Sequence, residues 1–458
     1  MNIRARFSPL AVAVIVAGGW LGHSRSLADE LPKNTSKIER LTVEAAEVLA
    51  QRKNASLRLD GLTELSADAA TALAQYQGGR LSLKGLTTLS AEAARPLAQF
   101  NGMLQLNGLT TLSPEVAQAL AEHRGEGLQL NGLTTLSTEA AKRLAEHRGE
   151  GLHLAGLTTL TPEVAKALAE HQGNELCLNG LTMLSTEAAQ ALAEHRGGGL
   201  GLIRLTNLSA ETIVALTQHK GFLALDGLTT LSDEAARALG QHAGEGLALN
   251  GLTALSREQA TALAEHKGKS LFLGGLKGLS AEAAQALAQH RGERLSLRGL
   301  TALSAEAAQA LAAHKGQELY LDSLTTLSDE AIQALGLHQG PVSINALLRN
   351  EVVARQPLSP QTAKALVLFL QGDLSGITAL DSPDSVAIAK ALAATKRPLF
   401  LPNLKKISPK TLTALIEKRD VEIPLIETLE IIAEPDGSAT EDFVIPEWLE
   451  ARQKERAR

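Results

Sequence analysis

The stretch LQLNGLTTLSTEAAKRLAEHRGEG, residues 128–151, decides the fold because close copies of it recur along most of the 458-residue chain. Successive copies are offset by 23 or 24 residues, and a fixed period of this size indicates a solenoid of stacked repeats. The first leucine of the unit falls at 57, 81, 104, 128, 152, 176, 200, 223, 247, 271, 295 and 319. Fainter copies begin near Val342, Gly372 and Leu399, and a half-copy begins at Leu41.

The first half of each unit predicts a short strand followed by a turn. Leu128 and Leu130 alternate with Gln129, which is the period of a strand with one buried face. The pair Asn131-Gly132 should turn the chain, after which Leu133 and Leu136 point inward again. The strands of successive copies should therefore form a long parallel sheet with helices behind it.

The second half of each unit predicts a helix of about ten residues. Ser137 should cap its N-terminus, and Glu139 lies in the first turn, where it meets the positive end of the helix dipole. Gly149 follows the expected C-terminus, where a left-handed cap residue is typical. Each copy is thus predicted to be strand, turn, helix and turn.

The segment Asn131–Leu136 resembles the N-x-L-T-x-L segment of leucine-rich repeats. The whole unit is similar to bacterial exported leucine-rich-repeat proteins, over residues 41 to about 340 closely and to about 430 weakly. This resemblance implies an α/β solenoid, an arc or horseshoe that serves as a binding scaffold. One feature departs from the pattern, because Leu130 directly precedes Asn131. The asparagine itself is also replaced in several copies, so the usual asparagine ladder is in doubt. The replacements are Asp60, Lys84, Ala155, Ile203 and Gly274.

Residues 1–28 have the features of a secretory signal peptide. Arg4 and Arg6 precede an apolar run from about Leu10 to Leu21, and Ser26-Leu27-Ala28 offers a cleavage site. We expect cleavage after Ala28 and export to the periplasm, the cell surface or the medium; an uncleaved anchor is the alternative. No later run is long enough to span a membrane, so no membrane span is expected after cleavage.

The remaining chain divides by repeat quality. Residues 29–56 form an N-terminal cap and half-repeat, 57–341 regular leucine-rich repeats, 342–430 degenerate repeats and a C-terminal cap, and 431–458 a polar linker and short tail. Four apolar residues of the tail could dock on the cap or hold a partner. They are Phe443, Ile445, Trp448 and Leu449.

Composition and motifs exclude several classes of function. A net charge of −6 disfavours nucleic acid as a partner. The single cysteine, Cys177, permits no internal disulfide. The sequence contains no phosphate-binding loop, nucleophile elbow or zinc-protease motif. We therefore expect a protein that is not an enzyme and needs no cofactor.

A histidine recurs at one position of the unit, just after the helix. Two earlier copies hold Tyr76 and Phe100 there, so the position favours a flat, half-buried ring rather than a metal ligand. Metal binding remains the alternative, with His147, His171 and His195 as weak candidates, although a straight row offers zinc only two ligands per gap. Charging of neighbouring rings predicts a lower melting temperature at pH 5 than at pH 7.5. The column comprises His123, His147, His171, His195, His219, His242, His266, His290, His314 and His338.

The outward face of the sheet is the expected working surface. Two places on its central column differ from the rest. His153 and Cys177 fall on adjacent strands and could form a reactive thiolate pair, although chance pairing is the alternative. Nearer the C-terminus, Phe272 and Tyr320 flank Ser296, and exposed rings beside arginine are common at binding hot spots. The candidate binding residues are Phe272, Arg294, Arg298, Tyr320 and Asp322, with Glu318 nearby.

The sequence thus favours a non-catalytic exported scaffold that binds a protein or glycan through its sheet face. One alternative is a structural protein that spaces the cell envelope and has no specific ligand. A second is a metal- or pH-responsive protein that uses the histidine column.

Overall fold

In a computed structural model, the described residues are 31–338, 340–345, 347–348, 358–435, 437 and 445–456. The predicted signal peptide and Phe443 lie outside them. Contacts divide the chain into two compact units. The first comprises residues up to Leu228 together with His242–Ala248, and the second comprises Thr229–Gln241 together with the residues from Leu249 onward. Among the described residues, no helix has both the length and the apolar character needed to cross a bilayer.

The first unit alternates helices with parallel strands in sequence order. A 3-10 turn at Thr35–Lys37 precedes the first helix. Its helices are α1 Val43–Ala50, α2 Ala67–Ala74, α3 Ala91–Leu97, α4 Pro114–Ala121, α5 Thr138–Ala145, α6 Pro162–Ala169, α7 Thr186–Ala193 and α8 Ala210–Leu216. Its strands are β1 Ser56–Arg58, β2 Arg80–Ser82, β3 Met103–Gln105, β4 Gly127–Gln129, β5 Gly151–His153, β6 Glu175–Cys177, β7 Gly199–Gly201, β8 Phe222–Ala224 and β9 Gly246–Ala248.

The second unit continues the same alternation and ends in less regular repeats. Its helices are α9 Asp233–Gly240, α10 Arg257–Ala264, α11 Ala281–Leu287, α12 Ala305–Ala312, α13 Asp329–Leu335, α14 Pro360–Phe369, α15 Ser385–Ala393, α16 Pro409–Ile416 and α17 Glu447–Arg456, with a 3-10 turn at Ile426–Thr428. Its strands are β10 Ser270–Phe272, β11 Arg294–Ser296, β12 Glu318–Tyr320, β13 Val342–Ser343, β14 Ala379–Leu380, β15 Leu399–Phe400, β16 Lys406–Ile407, β17 Val421–Glu422 and β18 Glu430–Ile431.

Strand register confirms the predicted leucine-rich-repeat solenoid in each unit. The central leucines pair strand to strand, for example Leu128 with Leu152 and Leu271 with Leu295, and all pairings are parallel. Three leucines of the unit, Leu128, Leu130 and Leu133, are fully buried. Leu136, which was expected to point inward, is only half-buried.

Helix N-termini form as the sequence predicts, but the helices are shorter than expected. The Ser137 hydroxyl accepts a hydrogen bond from the amide of Ala140 at 3.2 Å. Helices of the regular repeats contain seven or eight residues rather than about ten. The reason is that the chain tightens after Ala145: the amide of His147 donates to Leu144 O, three residues back, at 3.0 Å. His147 lies in this tight turn, and its side chain is buried.

In several repeats the asparagine or aspartate before the turn glycine accepts a hydrogen bond from the backbone of the next repeat, as Asp60, Asn107, Asn131 and Asn250 do. The Asn107 side-chain oxygen accepts from the amide of Asn131 at 3.0 Å, and Asn131 accepts in turn from the amide of Ala155 at 2.9 Å. The acceptor is the side chain of one repeat and the donor is the backbone of the next. A repeat that lacks asparagine can therefore still donate, as Ala155 does.

The tail packs against the C-terminal repeats. Leu449 is buried and Trp448 half-buried on α17. The Arg452 guanidinium donates to Val421 O at 3.2 Å, and the Gln453 amide donates to Pro424 O at 3.0 Å. Arg452 therefore satisfies carbonyl groups at the end of the repeats instead of lying free in solvent.

Candidate functional site

The structure brings the predicted binding residues together on the sheet face of the second unit. Phe272, Ser296 and Tyr320 are direct neighbours across β10, β11 and β12. Ser296 is 2% exposed, and the two flanking rings are half-buried. We call Phe272, Arg294, Arg298, Tyr320 and Asp322 the sheet-face cluster.

Ion pairs hold the sheet-face cluster in place. Arg294 Nε donates to Glu318 Oε2 and Arg298 Nε donates to Asp322 Oδ2, both at 2.7 Å. The Arg298 guanidinium carbon lies 4.5 Å from the centre of the Tyr320 ring, in a cation–π contact. The Tyr320 hydroxyl donates to Glu318 Oε2 at 2.7 Å, and this bond lowers the pKa of Glu318.

The ion pairs of the sheet-face cluster contribute little to the stability of the fold. Its arginines are 46% and 56% exposed, and exposed ion pairs contribute less than about 1 kcal/mol to folding. The same pairs hold the long side chains of Arg294 and Arg298 in defined positions. The sequence did not indicate one further contact, in which Ser343 donates to Asp322 Oδ1.

The histidine column is fully buried, so the expectation of half-buried rings is wrong. His123 and His147 are 0% exposed and His195 2%, and Phe100 at the same position is 1% exposed. Within each unit the rings stack face to face, with centroids 5.4 Å apart for His147 and His171. Because the helix ends early, the ring enters the core instead of lying at the edge of the helical stripe.

Gly149 accommodates this ring and is not a left-handed cap. Among the described glycines only Gly372 and Gly437 have positive φ, so the predicted left-handed conformation of Gly149 is wrong. A Cβ on Gly149 would lie 2.7 Å from His147 Nε2 and 2.8 Å from Gly125 O. Glycine recurs two residues after the ring because a side chain there would overlap the ring and the preceding repeat.

Hydrogen bonds fix the tautomers of three rings. His123 Nε2 lies 3.1 Å from Gly102 O, and since a carbonyl oxygen only accepts, the proton is on Nε2. His123 Nδ1 therefore accepts from His147 Nε2 at 3.4 Å, and His147 Nδ1 accepts from His171 Nε2 at 3.1 Å. All three rings are neutral Nε2–H tautomers, and a proton added to His123 Nδ1 would face another N–H donor.

Burial keeps the column neutral. Desolvation lowers the pKa of His147 to about 3, with neighbouring histidines as smaller causes, and the pKa of His123, His219, His290 and His314 to about 4. The weak metal candidates His147, His171 and His195 face one another in pairs, and the nitrogens between His147 and His171 are occupied by their mutual hydrogen bond. The geometry therefore brings only two of these histidine nitrogens together between neighbouring repeats, whereas zinc requires at least three protein ligands.

His153 and Cys177 are paired across β5 and β6, as the alignment predicts. The reactive-thiolate interpretation is not favoured, however, because burial and a hydrogen bond to Glu175 raise the pKa of the Cys177 thiol strongly. The thiol donates to Glu175 Oε1 at 3.0 Å. Sequence reasoning missed Glu175, although strand alternation places it on the same face as Cys177, two residues away.

Comparisons with known proteins give structural likeness only. The chain matches no protein-family model, and no curated protein matches its sequence. A structure of the Rad7 and Elc1 complex of yeast is similar over 72% of this chain and 85% of that chain, at 17% identity and a TM-score of 0.40. A structure of the Toll–Spatzle complex of Drosophila is similar over 81% of this chain at 13% identity and a TM-score of 0.40. This chain spans 54% of that second chain.

Proposed function

We propose that this protein is an exported, non-catalytic scaffold that binds a protein partner through the sheet-face cluster, with a glycan as the second ligand class. The observation that carries the proposal is the pre-ordered group around Tyr320, whose ring is covered by Arg298 and whose hydroxyl is held by Glu318. Tyrosine and arginine are among the residues that most often contribute large binding energies at protein interfaces.

The absence of catalysis is part of the same proposal. Cys177 is the candidate nucleophile that the sequence suggested, and its raised pKa keeps the thiol protonated at neutral pH. The serine hydroxyls at helix N-termini, such as Ser137, accept from backbone amides and act as caps.

A structural spacing role is the second candidate. In the first unit, the central column of the sheet face carries Gly201, Ala224 and Ala248 on consecutive strands. These residues present little side-chain surface to a partner. If the regular repeats only separate two other structures, no ligand of the sheet face will be found.

Replacing Phe272 and Tyr320 together by alanine should abolish partner capture. The loss removes both rings of the sheet-face cluster, and truncation of a hot-spot aromatic costs about 2 kcal/mol or more of binding free energy, roughly a 30-fold loss of affinity each. The measurement is quantitative capture from envelope and medium fractions, with a glycan array run in parallel.

The matched control replaces Gln105 and Gln129, which occupy the same strand position in the first unit. This control should retain capture. If both double variants bind alike, the sheet-face cluster is not the site, and if the native chain captures neither protein nor glycan, the spacing role is favoured.

Export predicts a specific mature N-terminus. We expect the protein recovered from cells to begin at Asp29, because cleavage follows Ser26-Leu27-Ala28. Intact-mass measurement or N-terminal sequencing of the chain from envelope and medium fractions decides this. Recovery of the chain in the cytoplasm with Met1 intact would contradict export.

A further inference from the structure

We propose that His153, Glu175 and Cys177 form a binding site for a divalent transition-metal ion, best suited to Zn²⁺. Their imidazole nitrogen, carboxylate oxygen and thiol sulfur all lie within 4.8 Å of one another. Donor atoms around one tetrahedral zinc ion lie about 3.3–3.8 Å apart, given zinc–ligand distances of about 2.0–2.3 Å. Side-chain movements of about 1 Å would therefore bring the three donor atoms to the spacing that zinc requires.

The local sequence places the three groups on one surface. Glu175 and Cys177 are two residues apart on β6 and share its outward face, while His153 pairs with Cys177 from β5. Gly151, which pairs with Glu175, leaves room for the imidazole to lie back toward that carboxylate. A Cβ at Gly151 would be 3.0 Å from His153 Nε2.

A fourth group faces the same surface without a hydrogen-bond partner. The side-chain oxygen of Asn179 is buried, and among the residues that the structure describes nothing donates to it. It lies over Gly201, the strand neighbour of Cys177, where a Cβ would approach it to 2.6 Å. Three protein ligands leave a fourth zinc position for water.

The charges and protonation states of the three ligands are suited to a divalent cation. Zn²⁺ with one thiolate and one carboxylate is neutral overall, which a half-buried site requires. The His153 imidazole coordinates a metal through a nitrogen of its neutral form. The Cys177 thiol must lose its proton as the metal binds, and apparent affinity should therefore rise with pH.

The other repeats provide replacements that the fold already tolerates. Gln129 occupies the same strand position as His153. Ser82 and Ser296 occupy the same strand position as Cys177. Gly127 and Gly199 occupy the same strand position as Glu175. The test variants are therefore His153→Gln, Cys177→Ser and Glu175→Gly. The control is His290→Phe, which removes a buried column histidine of the second unit and leaves the three ligands intact.

Titration of the full chain with Co²⁺, followed by displacement with Zn²⁺, tests the site. We expect one equivalent of Co²⁺, a thiolate-to-metal charge-transfer band, and loss of that band on addition of Zn²⁺. Cys177→Ser should abolish the band, and His153→Gln and Glu175→Gly should weaken binding about 100-fold or more. His290→Phe should behave like the native chain.

Two outcomes would overturn the site. One is the absence of a thiolate band in the native chain at pH 8, where proton loss from Cys177 is easier than at pH 7. The other is an unchanged stoichiometry and affinity in Cys177→Ser, which would place the metal elsewhere. Circular dichroism of each variant distinguishes loss of the site from loss of the fold. Partner capture by the sheet-face cluster is independent of either result.

Discussion

Lowering the pH from 7.5 to 5 should strongly destabilise this protein. The buried rings of the histidine column have pKa values of about 3 to 4, against about 6.5 in an unfolded chain. Between these values the unfolded chain binds more protons than the folded chain. The stability is therefore fully present above about pH 6.5 and is lost as the pH falls toward 4.

The expected loss of stability is large because a buried histidine ring recurs from repeat to repeat. Each such ring contributes about 1.4 kcal/mol per pH unit in this window. Several rings together contribute on the order of 10 kcal/mol, comparable with the whole free energy of unfolding of an ordinary domain. Desolvation of each ring is the main cause, whereas repulsion between adjacent charged rings, the cause expected from sequence, is smaller.

Melting temperatures at pH 7.5 and pH 5 measure the effect, and most carboxylates titrate below this window. A variant with phenylalanine at His147, His171 and His195 is the matched comparison, since Phe100 and Tyr76 already stack at this position. It should lose part of the pH dependence. Equal melting temperatures of the native chain at the two pH values would rule out the explanation.

The substitution Gly132→Ala should destabilise the first unit severely. A Cβ at this position would lie 2.1 Å from Asn107 O and 2.7 Å from Leu109 O, both in the backbone of the preceding repeat. Backbone atoms cannot move aside as a flexible side chain can, so the turn or the stacking of the two repeats must give way. We expect a loss of about 3 kcal/mol or more in the free energy of unfolding.

The control is Gly79→Ala, because a Cβ at Gly79 would meet only Ala55 O, at 3.8 Å. Denaturant unfolding of both variants, followed by circular dichroism, should separate them clearly. Similar midpoints for Gly132→Ala and Gly79→Ala would show that adjacent turns are not packed as closely as the structure has them.

Much of the fold could be predicted from sequence because the same pattern of leucines, turn residues and helix caps recurs in many repeats. Leucine spacing fixed the strand register to the residue, as the pairing of Leu128 with Leu152 shows. The serine caps followed from a local rule that needs no tertiary information, and Ser137 obeys it.

The errors arose where neighbouring repeats decide the outcome. Gly149 has the sequence position of a helix cap, but its role is set by the ring and by Gly125 O of the adjacent repeat. The depth of the histidine ring depends on the tight turn after Ala145, which composition does not reveal. Periodicity locates a residue on a face but does not measure how closely the next layer covers it.

The sheet-face cluster was likewise predictable where strand register decides the positions, but not where side-chain contacts decide them. Strand pairing in register placed Phe272 and Tyr320 on either side of Ser296 from sequence alone. The hydrogen bond from Tyr320 to Glu318 and the approach of Arg298 to the ring required side-chain positions. Whether these residues bind a partner remains a prediction.

Site-specific photo-crosslinking in the source cells tests the proposed binding face most directly. A photoreactive residue at position 320 should form an adduct with a discrete partner, whereas the same residue at position 143, exposed on the helix side in α5, should not. Adducts of similar yield from both positions, or an adduct from position 143 alone, would contradict binding through the sheet-face cluster.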